Sequence, residues 1–342
     1  MEKQPPTNDD ATNPSQETVG RFDYPRNRPA YLKKLTILSD KSEEKRLDHL
    51  AVIPWDDPEY HISRDDERWI LPSDFDIGAS SWYQELPVER QIEIGMYRYA
   101  QTCKVGSEFE KALIKGIGQF VKRPSNTDEE NRYARHEADE EVGHIKMFEE
   151  FVAQTGLDVR GAPEWFHHMA RLAGPVAKYL PVSFWSAVLA GEEPIDRTQR
   201  QLIERAKHGA PMHPLIHDVM KLHVEEEARH ISFAHTYLER HIDPRKTDKL
   251  NRIQHLAMTA SYPVFMRVFA GVILRPSKQS LQDMGIPQEV AKEIWWDSDF
   301  GRNYLRDLFP SARREADKLQ LRRSKLGRAA WRVLGIDEGN QN

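Results

Sequence analysis

The chain has 342 residues, a near-balance of 49 Lys and Arg against 54 Asp and Glu for a net charge of −5, and a single cysteine, Cys103. That length buries a full core without disulfides, and the charge shows no long run of one sign that would suit a nucleic acid or an acidic lipid surface. One cysteine rules out both a disulfide framework and a thiolate-rich metal site, so any metal must be held by histidine and carboxylate.

In chain order, the polar, acidic start "MEKQPPTNDDATNPSQETVG" lacks the basic beginning and apolar middle of a secretion signal. It reads as part of a largely disordered extension over residues 1–45 of a cytoplasmic protein, followed by one domain over 46–335 and a disordered tail over 336–342. An irregular proline-rich stretch, Pro54 to Pro87, leads to a first long helix, Val88 to Val121. The polar link "SNTDEEN" starts a second, from about Asp128 to Gln154, which ends before Gly156. A connecting helix follows Pro163. The third long helix begins after Pro181 and finishes before Gly209, with Pro194 expected to kink it or open one turn. The fourth runs from Pro214 to His241.

Strand signals are nearly absent, while apolar residues recur at spacings of three and four. The C-terminal third, broken at Pro276, Gly285 and Pro310, adds further helices. Its most apolar stretch, Tyr262 to Leu274, is short and carries Arg267, so it reads as a buried helix and no membrane span is expected. Four long helices joined by short loops predict an all-α protein, a four-helix bundle with additional helices around it.

The fourth helix contains "LHVEEEARHISFAH", in which His223, Glu227 and His230 stand four and three residues apart and so share one face. The second helix repeats the glutamate-x-x-histidine pair as Glu141 and His144. A di-iron carboxylate bundle needs such a pair from two helices and one inward glutamate from each of the other two. On the first helix Glu110 is the one charge in a stripe with Met96, Tyr99, Cys103, Leu113, Ile114, Ile117 and Val121, whereas Glu108 falls with Gln101, Lys104 and Lys115. On the third, Glu192 shares a face with Trp185, Val188, Leu189, Ile195 and Gln199, which favours it over Glu193, an alternative the Pro194 register leaves open.

Glu110 to Glu141 spans 31 residues and Glu192 to Glu227 spans 35, so one helix pair is used twice. The repeat is broken at one place: Glu137 stands four residues before Glu141, and His223 four before Glu227. Of the neighbouring charges, Glu137, Glu140, Glu225 and Glu226 read as salt-bridge or supporting hydrogen-bond partners, and Arg229 as an ion-pair partner of a carboxylate. His213, His217 and His235 miss the face. Cys103, Phe184 and Trp185 read as core.

These residues resemble the p-aminobenzoate N-oxygenase (AurF-like) family of di-iron oxygenases. The likeness extends from "IPWDDPEY" through "SEFEKALI", "HEADEEVGHIKMF" and "LAGEEPIDRTQR" to "HPLIHDVMKLHVEEEARHISFAH". It implies a ferritin-like fold and a metal site of seven ligands, Glu110, Glu141, His144, Glu192, His223, Glu227 and His230, with His223 the additional histidine. It also implies two iron ions, dioxygen as co-substrate and external electrons spent on oxidising an arylamine nitrogen.

The leading expectation is therefore an O2-dependent monooxygenase acting on a small amine through a peroxo-bridged di-iron intermediate. Manganese suits the same ligands as iron. No glycine-rich nucleotide-binding turn is present, so an external electron donor or reductase is implied. A homodimer is expected by analogy of fold alone. The rival readings are a di-iron hydroxylase or desaturase acting on carbon, and a ferritin-like iron-oxidising or storage protein.

Overall fold

The computed structural model describes residues 28–245, 248–295 and 299–337, and every regular element among them is helical. The helices are α1 (Arg28–Glu44), α2 (His49–Val52), α3 (Ser81–Gln84), α4 (Val88–Phe120), α5 (Asp128–Thr155), α6 (Glu164–Ala170), α7 (Ala173–Tyr179), α8 (Pro181–Lys207) and α9 (Pro214–His241). They continue as α10 (Lys249–Ile273), α11 (Lys278–Asp283), α12 (Gln288–Ile294), α13 (Asp299–Asp307), α14 (Pro310–Lys318) and α15 (Lys325–Val333). The fold is the expected all-α, ferritin-like bundle, built from α4, α5, α8 and α9.

Local chemistry sets the ends of these four helices. Thr127 and Glu130 form a reciprocal capping box at the start of α5, and Gly156 takes the left-handed conformation, φ 61°, that closes it. Pro181 and Pro214 open α8 and α9 at the first turn, where a missing N–H costs nothing. Of the kink or opened turn expected at Pro194, the opened turn does not occur. Buried among its neighbours, the proline lies inside α8, which runs as one helix to Lys207.

The apolar core falls into two clusters, and the order in which each helix meets them shows the packing. Along α4 the first cluster is met at Ile92 to Cys103 and the second at Val105 to Phe120, while α5 meets them in reverse, Tyr133 and Ala134 before Met147 to Phe151. The pair is antiparallel. In α8 and α9 the same reversal recurs, with Val182 to Ile195 before Leu202 on one and Leu215 to Val224 before Phe233 to Leu238 on the other. Between the clusters, α5 and α9 turn buried charges inward at residues 137–144 and 223–230. A polar layer thus crosses an otherwise apolar bundle.

Two expected boundaries need correction. Residues 28–44, assigned to the disordered extension, form α1. Tyr31, Leu35, Leu38 and Ser42 recur at spacings of four and three and bury one stripe, which packs on α5 and α9. The Tyr31 hydroxyl donates to Glu130 Oε1 at 2.6 Å, tying α1 to the start of α5. At the other end, Ile336 is buried in the core, so the tail does not begin there. The disorder expected for residues 1–27 and 338–342 lies outside the described residues. No helix among the described residues is long and apolar enough to cross a membrane.

Candidate metal centre

The seven residues singled out above converge on the axis of the bundle. Glu110 comes from α4, Glu141 and His144 from α5, Glu192 from α8, and His223, Glu227 and His230 from α9; none is more than 1% exposed. Glu141 lies at the middle, with Oε2 2.9 Å from His144 Nδ1 and Oε1 2.9 Å from His230 Nδ1. Glu227 Oε1 is also central, 3.3 Å from His223 Nε2, 3.4 Å from His230 Nδ1 and 3.5 Å from His144 Nδ1. Within the seven, ligand-type atoms gather in three overlapping triads, His144, His223 and Glu227; Glu141, Glu192 and His230; Glu110, Glu141 and Glu227, and a fourth group joins His144 to His49 and Glu226.

Each histidine points one ring nitrogen into this cluster and the other at an outer partner. His144 Nε2 is 2.9 Å from Glu226 Oε2, His230 Nε2 is 2.7 Å from Glu140 Oε2, and His223 Nδ1 is 2.8 Å from the Gln199 side-chain oxygen. Outer hydrogen bonds of this kind fix ring orientation and tautomer for metal binding. The outer carboxylates are themselves held. Arg229 donates to Glu140 at 2.7 Å, and His49 Nε2 lies 2.6 Å from Glu226 Oε2.

The electrostatics are those of a buried anion cluster. Burial, then Glu141, Glu227 and Glu192, push the Glu110 carboxyl well above its usual range; burial, then Glu227 and Glu137, do the same to Glu192. Burial acts in the same direction on Glu141, but His230 and His144 outweigh it and hold that carboxyl well below. Although burial opposes it, Glu141 and Glu226 lift His144 to about 10, and Glu141 and Glu227 lift His230 well above its usual value. Burial, with His144 alongside, keeps His223 neutral.

These residues fit a pair of divalent cations. Among the described residues, both oxygens of Glu110, Glu192 and Glu227 have no hydrogen-bond partner although all are buried. Buried carboxylates left without partners cost several kcal/mol each, so such a cluster persists only where something else binds them. Glu110, Glu141, Glu192 and Glu227 carry four negative charges when ionised, which two divalent ions neutralise. Oxygen and imidazole ligands suit iron and manganese alike.

Residues 28–320 match the family described as P-aminobenzoate N-oxygenase AurF. The chain belongs to the AurF family. Similar proteins in that length range are the "uncharacterized" proteins Rv0885 of Mycobacterium tuberculosis and Mb0909 of Mycobacterium bovis. Each is 40% identical over 307 residues, covering 90% of this chain and 88% of the relative. No solved structure matches. Membership makes this an oxygenase-family chain with a di-iron type of fold, and the buried His and Glu groups could bind metal.

The alternatives in this AurF-family site separate cleanly. Glu108 accepts the Ala162 N–H at 2.6 Å outside the bundle, and Glu193 pairs with His235 at 2.7 Å on the far side of α8. Arg229 and Glu140 form the ion pair expected of them. His213 is buried and stacked on Trp69 with ring centres 4.2 Å apart, and burial, together with Arg68, lowers it to about 4. Glu225 is exposed.

Two residues were underrated or missed by sequence reasoning. Among the described residues Glu137 finds no ion-pair or hydrogen-bond partner; it is buried, and burial drives its carboxyl well above the usual range, with Glu141 and Glu227 adding to that against His230. His49, on α2, lies outside the set of residues the sequence singles out. Its ring lies against Gly143, where a Cβ would overlap it. That glycine, inside a helix between Glu141 and His144, was the available signal, since a mid-helix glycine marks close approach of another group.

Proposed function

We propose that the chain is an O2-dependent di-iron monooxygenase that oxidises the nitrogen of a small amine of arylamine type. The observation that carries this reading is the set of buried, unpartnered carboxylates with three imidazoles braced from outside, inside a chain of the AurF family. His144, His223, Glu110 and Glu227 would hold one metal, and His230, Glu192 and Glu141 the other. Two iron ions there supply dioxygen activation and oxygen transfer.

The chain's own residues do the rest. Glu226 and Glu140 orient His144 and His230, Gln199 orients His223, and the apolar clusters on both sides keep bulk water from the layer. For a primary amine the balance is amine, O2, two electrons and two protons giving hydroxylamine and water. The electrons come from an external donor.

The test is to load the purified protein with ferrous iron under nitrogen, admit O2 with a reductant, and analyse arylamine products by mass spectrometry in 18O2. Incorporation of labelled oxygen at nitrogen is expected. Label on carbon would move the assignment to a hydroxylase, and iron accumulating over many equivalents without product would move it to storage.

A further inference from the structure

A groove of about 710 Å3 runs between α1, α2 and α5. Its rim carries Glu43, Asp48 and Asp139 together with Arg46 and Lys146, all of them exposed, whereas Ser42, His49, Glu140 and Gly143 line it from buried positions. Two of the buried residues lead to the polar layer by direct contact. Glu140 Oε2 is 2.7 Å from His230 Nε2, and His49 Nε2 is 2.6 Å from Glu226 Oε2, which is in turn 2.9 Å from His144 Nε2. At these two points the outer partners of His230 and His144 are what separate the groove from the layer.

The two points differ in what they offer a cation. Glu140 is covered by the Arg229 guanidinium at 2.7 Å, which repels one. Glu226 Oε2 meets two imidazoles instead, His49 and His144, whose rings cross at 88° with centres 5.4 Å apart, and Arg229 stands 3.5 Å from the other oxygen, Oε1. Ligand atoms of His49, His144 and Glu226 all lie within 4.8 Å of one another, and all three residues are buried. Two imidazoles and one carboxylate, with a further position open to water, are a donor set for a divalent transition metal. The His49 ring reaches this place because residue 143 is glycine, where a Cβ would overlap it.

We infer that His49, Glu226 and the outer nitrogen of His144 form a further metal site, through which divalent iron passes from the groove into the layer; the inference rests on the layer being a metal centre and is independent of the amine-oxidation reading. His144 joins the two sites through its two ring nitrogens, Nε2 toward Glu226 and Nδ1 toward Glu141, each at 2.9 Å. A neutral imidazole offers one nitrogen as acceptor and keeps its proton on the other. An ion held at Nδ1 therefore leaves the proton on Nε2, where it is donated to Glu226. The outer site empties as the layer fills, so it is a place of passage and two ions remain at saturation.

The experiment follows cobalt(II), which takes the same oxygen and nitrogen ligands as ferrous iron and is visible by its absorbance, into the metal-free full chain by rapid mixing, and then out of it into excess chelator. His49→Gln decides the matter, because its amide can still donate to Glu226 and brace it but is a poor metal ligand. It should slow uptake and release alike, by about tenfold or more, with the cobalt content at saturation unchanged. Asp139→Lys, an exposed change at the rim, should slow uptake by about threefold at low salt and by less at high salt. Uptake at the wild-type rate in folded His49→Gln protein, or faster release with uptake unchanged, would overturn the inference and leave His49 a brace alone. A wild type that takes up no cobalt would remove the metal centre itself, and the passage with it, whereas failure of the variants alone would leave the centre standing.

Discussion

The α4–α5 half and the α8–α9 half of the bundle supply the same inner set, one glutamate and one glutamate-x-x-histidine pair, yet they support it differently. His144 in the first half is braced by Glu226, which His49 on α2 holds in turn. His230 in the second is braced by Glu140 and its partner Arg229, whose Nε also donates to Ser42 of α1 at 3.1 Å. Each half thus borrows its outer carboxylate from the other half and a clamp from the N-terminal helices. The inner residues follow a repeat, and the difference lies in what surrounds them.

The repeat is broken where Glu137 stands in one half and His223 in the other. His223 is neutral, braced by Gln199, with its ring centre 4.6 Å from that of His144. As a ligand it would enrich one metal position in nitrogen. Glu137 faces the layer as a carboxyl that burial keeps protonated. A metal pair held here would be unequal, one ion with two imidazoles and the other with one.

The largest effect is expected where the two halves meet. Glu141→Ala should remove the carboxylate shared by His144 and His230 and abolish iron binding at both positions, measured as iron per chain by elemental analysis; retention of one full equivalent would show that Glu141 serves only one half. His223→Ala should leave about one iron per chain, because His230, Glu192 and Glu141 are untouched. Equal loss from both positions would mean the asymmetry has been misread.

A smaller loss should follow from the outer brace. His49→Ala frees Glu226 without altering any inner residue, and a roughly 10–100-fold weakening of one iron is expected. Gly143→Ala should mimic it by displacing the His49 ring. Competition with a chelator reads both. The smallest effect should come from Glu137→Gln, a neutral replacement for a group already neutral, which should leave iron content within about twofold of wild type. Loss of an iron there would make Glu137 a charged ligand and restore the symmetry of the halves.

The four bundle helices and the seven inward residues were legible because they rest on local signals. Capping residues and prolines mark the ends of α5, α8 and α9, and ligand spacings of three and four are a property of one helix. The parts that were not legible depend on distant chain. Nothing in the sequence around His49 announces that it meets Glu226, 177 residues away. The α1 stripe was obscured by the lysines and serines interleaved with it. Glu137, by contrast, could be seen but not weighed, since its environment depends on the absence of a partner after packing.

The central claim is that the polar layer holds two metal ions, and it is tested most directly by titrating the purified, metal-free chain anaerobically with ferrous iron. Protons should be released as His144 and His230 give up the charge they carry without metal. The account predicts saturation at two irons per chain; saturation at less than one would contradict it.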